Sequence, residues 1–112
     1  MDLSPDQFEK MAKATCAAYS ARLGPSLSLT MGEGGQPDEV LFVLRHQTTP
    51  SAEVSGAAAR VTRPAVEQGG ADAFQRVLDH LLDLNERGEL PAGEALPVVC
   101  EITAGGEFRT LG

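Results

Sequence analysis

The chain has 112 residues, with 16 acids, nine Lys or Arg and two His, for a net charge of −7. That length suits a single domain over residues 1–112, large enough to bury a modest core without disulfides or metals. The acidic balance argues against direct binding to nucleic acid, whose phosphates demand Lys and Arg.

The first helix is signalled at its start by Ser4 as N-cap, Pro5 at the first helical position and Gln7 completing a capping box. Leu3 and Phe8 stand where a hydrophobic staple would pack. Phe8, Met11, Ala12, Thr15, Tyr19 and Leu23 recur at helical spacing and predict one buried face. Gly24 and Pro25 predict its end. On the outer side, Ala14, Ala17 and Ala21 form a small-residue stripe that would let a helix of a second copy approach closely. Alanine's helix propensity explains the same stripe equally well.

Leu27, Leu29 and Met31 alternate with Ser26, Ser28 and Thr30, which predicts a strand with one wet face. Residues 32–37 are glycine-rich and read as a turn. A phosphate loop would have to open a helix, and this one leads to a strand. Val40–Leu44 is apolar on both faces, the mark of an interior strand. It is also the longest run of large apolar residues, far too short to cross a bilayer. Gln47–Gly70 is rich in Ala, Ser, Thr, Gly and Pro. It predicts a weak third strand near Ala58–Thr62 and otherwise a long loop carrying Arg60 and Arg63.

The second helix follows Gly69 and Gly70, with Asp72 as its N-cap, and Gly88 terminates it. Phe74, Val77, Leu78, Leu81 and Leu84 gather on one side of it. Asp72, Asp79, Asp83 and Glu86 gather on the other, flanked by Arg76 and Arg87. Leu90–Ala95 is a connector, and Leu96–Leu111 reads as a closing hairpin turned at residues 104–106. These elements predict an α+β fold of two layers, in the order α-β-β-(β)-α-β-β. An antiparallel sheet of four or five strands would carry two helices on one face. Its other face should be wet, yet Leu41, Val43 and Val99 would reach it, which predicts cover by the long loop or by a partner.

The acidity is uneven. Through Pro64 there are seven acids and six bases, and from Ala65 onward nine acids and three bases. Like charges at helical spacing cost roughly 0.2–0.5 kcal/mol per pair, so a retained stripe invites a functional reading, with a solvated helix face as the plain alternative. His80 beside it reads as a surface residue ion-pairing with Asp83 or Asp79, because a metal site would lack further ligands. No serine lies in a nucleophile elbow, and no catalytic site or cofactor is expected. Cys16 and Cys100 read as small buried hydrophobes rather than a disulfide framework. Met1–Gln7 has neither the cationic nor the apolar segment of a signal peptide, so a cytoplasmic location is expected.

The opening helix ending at Gly24, the strands around Leu27 and Val40, the helix Phe74–Arg87 and the closing Cys100–Phe108 segment carry a resemblance. In that order of elements the chain resembles the YezG-like immunity proteins of bacterial polymorphic toxin systems. Gly106, Glu107 and Phe108 are similar to that family's late hairpin, while the chain has no Trp and no acidic-aromatic tail. The resemblance implies a non-enzymatic inhibitor that masks a basic surface of another protein, such as a nuclease. Asp72, Asp79, Asp83 and Glu86 would supply the field for that contact, and Leu41, Val43 or Val99 its apolar centre. Size, acidity and element order are also similar to the dimeric acidic chaperones of type III secretion effectors. A phage-encoded inhibitor of a bacterial defence complex would use the same physics.

Overall fold

The computed structural model describes residues 4–33, 38–70, 72–93, 95–103 and 105–111. The first helix, α1, spans Pro5–Ser20. Ser4 caps it, its Oγ accepting from the Gln7 amide while the Ser4 amide donates to Gln7 Oε1. Phe8, Ala12, Cys16 and Tyr19 are its buried stripe. The helix stops before Gly24, because the amides of Arg22 and Leu23 turn back to Tyr19 and Ser20 in tightened turns. Leu23 still packs against the core. The expected staple residue Leu3 lies outside the described residues, as do residues 34–37 and 104 of the two expected turns.

Strands β1 (Leu27–Glu33), β2 (Glu39–His46) and β3 (Ser55–Thr62) form an antiparallel meander. In β2, Val40, Phe42 and Leu44 are buried and alternate with half-buried Leu41 and Val43. In β3, Ala57, Ala59 and Val61 join the core, and the other alternate set is Gly56, Ala58, Arg60 and Thr62.

Two helices follow, α2 (Arg63–Gly69) and α3 (Asp72–Glu86). Gly70 separates them at φ 76, a left-handed conformation that favours glycine. The chain then returns as β4 (Val98–Ile102) and β5 (Phe108–Thr110). The sheet order is β1-β2-β3-β4-β5.

The fold is thus two-layer α+β, and it differs from expectation in three places. The region read mostly as loop contains the full-length β3 and the extra helix α2. The sheet is not wholly antiparallel: β3 and β4 run parallel, because the α2–α3 segment carries the chain back across the sheet before β4 begins. Asp72 is the first residue of α3 rather than a cap ahead of it.

One core cluster fills the space between sheet and helices, centred on Phe74 and Phe42, both fully buried. The Phe74 ring stacks on Phe8, centroids 5.8 Å apart, and meets Phe42 edge-on at 5.7 Å. Short Ala57 and Ala59 side chains on β3 leave room for these rings.

At the sheet's outer edge, the Gln47 amide donates to the Ser26 carbonyl, which fixes the phase of the β1–β2 ladder. The groups of Leu29 therefore point away from β2. The Leu29 carbonyl accepts from Ser20 Oγ at 3.2 Å and Cys16 Sγ at 3.7 Å, so α1 covers this stretch of open edge.

Candidate functional site

Helix α3 owes its two faces to sequence period. Ala73, Phe74, Val77, Leu78 and Leu81 are buried, while Asp72, Gln75, Asp79 and Glu86 are exposed and Asp83 is half-buried. All four predicted acids therefore lie on the outer side, but their surroundings differ. Asp79 Oδ1 accepts from the Tyr19 hydroxyl at 2.8 Å, which ties α3 to α1. Asp83 pairs with Arg87 at 2.9 Å, one turn on, and Arg87 also lies 3.9 Å from Glu89. Asp72 sits in the first turn, where the helix dipole favours a carboxylate.

Arg76 does not neutralise the stripe. Its Nη1 donates to the Gly106 carbonyl at 3.3 Å, and its guanidinium lies 5.7 Å from the Phe108 ring centroid. His80 corrects the expectation of a surface ion pair: it is half-buried with its ring edge-on to Phe108, centroids 5.3 Å apart. Phe108 is thus the anchor by which α3 holds the closing hairpin.

Leu41 and Val43 do not join the acids. They alternate with the β2 residues that face the helices, so they lie on the opposite face of the sheet from α3. Val99, next to the register shift at Ala58 and Ala59, is half-buried against the core. One flat contact therefore cannot combine the acidic stripe with Leu41 and Val43.

Arg60 and Arg63 are not loop residues. Arg63 opens α2 and pairs with Asp38 at 2.9 Å. Arg60 stands on β3 facing away from the helices. Its Nε is 3.6 Å from Glu39 on β2, and its Nη1 is 3.3 Å from Glu101 on β4. Glu101 is in turn 3.9 Å from Arg109 on β5. The alternation of Ala58, Arg60 and Thr62 with Ala57, Ala59 and Val61 held the signal for this row, hidden by the low strand propensity of alanine.

The described residues contain no group of three His, Cys, Asp or Glu able to hold a metal ion. A shallow crevice between α1, α3 and the sheet, too tight to admit a water molecule, is lined by leucines and Tyr19. Burial, reinforced by the Asp79 hydrogen bond and charge, pushes the Tyr19 phenol up to about 12. Such a phenol is a poor general base, and among the described residues no second titratable group lines the crevice. Burial also raises the Cys16 thiol and pushes Cys100 up to about 12. Both cysteines are free and buried, a setting that suppresses thiolate chemistry. No helix of the described residues is long and apolar enough to cross a membrane. Comparison with protein-family models, curated proteins and solved structures finds no match.

Proposed function

We propose that this chain is a non-enzymatic, cytoplasmic protein-binding protein of inhibitor or immunity type. It uses the outer side of α3 to cover a basic surface of a partner, such as a nuclease or a nucleic-acid-binding complex. The observation that supports this reading is the arrangement around α3. Its inner side is anchored in the core, its outer side carries Asp72, Asp79 and Glu86 exposed, and Arg76 is turned aside to the closing hairpin. A helix held by the core presents its outer carboxylates as a directional negative potential with little backbone entropy to lose on binding.

Asp72 and Glu86 carry the most freedom to meet a cation, while Asp79 and Asp83 contribute charge from positions set by Tyr19 and Arg87. Leu41 and Val43 have no part in this contact. The test is the association rate with a captured partner at rising ionic strength, with and without Asp72→Lys and Glu86→Lys together. Steered association slows steeply with salt, and the charge reversals should slow it about 10-fold or more. An unchanged rate in the double variant would remove α3 from the interface.

A further inference from the structure

We propose that the helix-free face of the sheet is the interface between two copies of this chain, packed sheet against sheet about a twofold axis parallel to the strands. The inference goes beyond partner binding by α3 and uses the opposite side of the molecule.

It rests on the charged row. Glu39, Arg60, Glu101 and Arg109 stand on four consecutive strands, β2 to β5, with signs alternating minus, plus, minus, plus. A twofold axis between β3 and β4 reverses the order of the row in the second copy. Arg60 then lies over Glu101 of the other copy, while Leu41, level with Arg60 in the register, lies over its Arg109, with Glu39 two residues further along β2 flanking that arginine. Each opposition occurs twice. The level pair Arg60 and Glu101 is therefore complementary to itself about the axis, which is what an isologous contact requires. Two like charges at these two positions would repel.

The row is also loosely satisfied within one copy. Its pairs stand at 3.3, 3.6 and 3.9 Å, and Arg60 Nε is buried without a hydrogen bond. Half-buried Leu41 and Val43 border it on β2, with Ala58 between Val43 and β4. Aligned sheets pack about 10 Å apart, a gap that Arg and Glu side chains bridge. Such packing places both helix layers outside, so the two acidic α3 surfaces stay away from the interface and remain available. Arg45, on the same face nearer the His46 end of β2, falls outside the row.

The test is sedimentation velocity on Arg60→Glu, on Glu101→Arg and on their equimolar mixture, with circular dichroism reporting the fold of each. The wild-type chain should sediment as a dimer. Each single reversal places like charges opposite each other and should weaken the dimer about 100-fold or more. In the mixture, the glutamate introduced in one variant faces the arginine introduced in the other. The native Glu101 of the first variant likewise faces the native Arg60 of the second, so a dimer should return as a heterodimer. Repair within one chain cannot produce that result, because each variant keeps its own mismatched row. Leu41→Lys, which leaves the row intact, should also give a folded monomer. A monomeric wild type, single variants that stay dimeric, or a mixture that stays monomeric would each overturn the proposal.

Discussion

The phenol of Tyr19 on α1 donates to Asp79 Oδ1 on α3 at 2.8 Å, across 60 residues of sequence. The bond joins the two longest helices at the rim of the core and fixes one carboxylate of the acidic stripe. Arg22, whose guanidinium lies 5.5 Å from the Tyr19 ring centroid, completes the cluster. Tyr19→Phe keeps the ring and removes only the donor, so it should cost about 1 kcal/mol. In a chain of this size that lowers the melting temperature on the order of 5 °C, readable by thermal denaturation.

The same pair sets an alkaline limit. The Tyr19 phenol has an ordinary value of 10.0 and is raised to about 12 in the fold. The folded state therefore favours the neutral phenol. Its contribution to stability is fully present below pH 10 and is lost as pH rises toward 12. Urea denaturation at several pH values should show stability falling across this window, with a shallower fall in Tyr19→Phe. Equal slopes in the two proteins would mean that Tyr19 does not control the transition.

Cys100 gives a second alkaline readout with a chemical probe. Its thiol is fully buried, and desolvation raises it from 9.0 to about 12. A disulfide reagent at about pH 8 should leave it untouched in the native protein and modify it at once in denaturant. Its reaction rate in intermediate urea then reports the open fraction of the chain. Fast labelling of native Cys100 would contradict its burial on β4 in the core beneath the helices.

The α1 cap, the alternation of β1, the apolar run of β2 and the two faces of α3 were legible because each follows a local rule of period, composition or capping. What was hidden depends on distant partners. Ser55–Ala59 reads as a poor strand, since glycine and alanine have low strand propensity. Ala57 and Ala59, on the helix side of β3, serve there because large rings from α1 and α3 occupy the space above them. Helix α2 is only seven residues long and opens with Arg63 and Pro64, so it has no period to detect. The parallel pairing of β4 follows from the α2–α3 segment carrying the chain back across the sheet to lie beside β3. In the candidate site, the spacing of Asp72, Asp79, Asp83 and Glu86 was readable. The Tyr19 bond to Asp79 joins residues far apart in sequence, which no local pattern announces, while the face of Arg60 was hidden by the low strand propensity of its alanine neighbours.

Among the described glycines, Gly56 is the one where an added Cβ would meet the closest neighbours. A Cβ there would stand 2.5 Å from the Leu44 carbonyl oxygen and 2.7 Å from Leu96 Cδ2. The Gly56 amide is also held by the Pro91 carbonyl, and Ser55 bridges to Ala92, so the connector before β4 is laced to this end of β3. Gly56→Ala forces either β2 or the connector to move, and overpacking of this kind costs about 1–3 kcal/mol. Leu96→Ala added to Gly56→Ala removes the side-chain clash but leaves the backbone one, because the Leu44 carbonyl belongs to the β2 ladder. The double variant should therefore recover only part of the lost melting temperature. Full recovery would assign the whole constraint to Leu96 and leave the close approach of β2 without consequence.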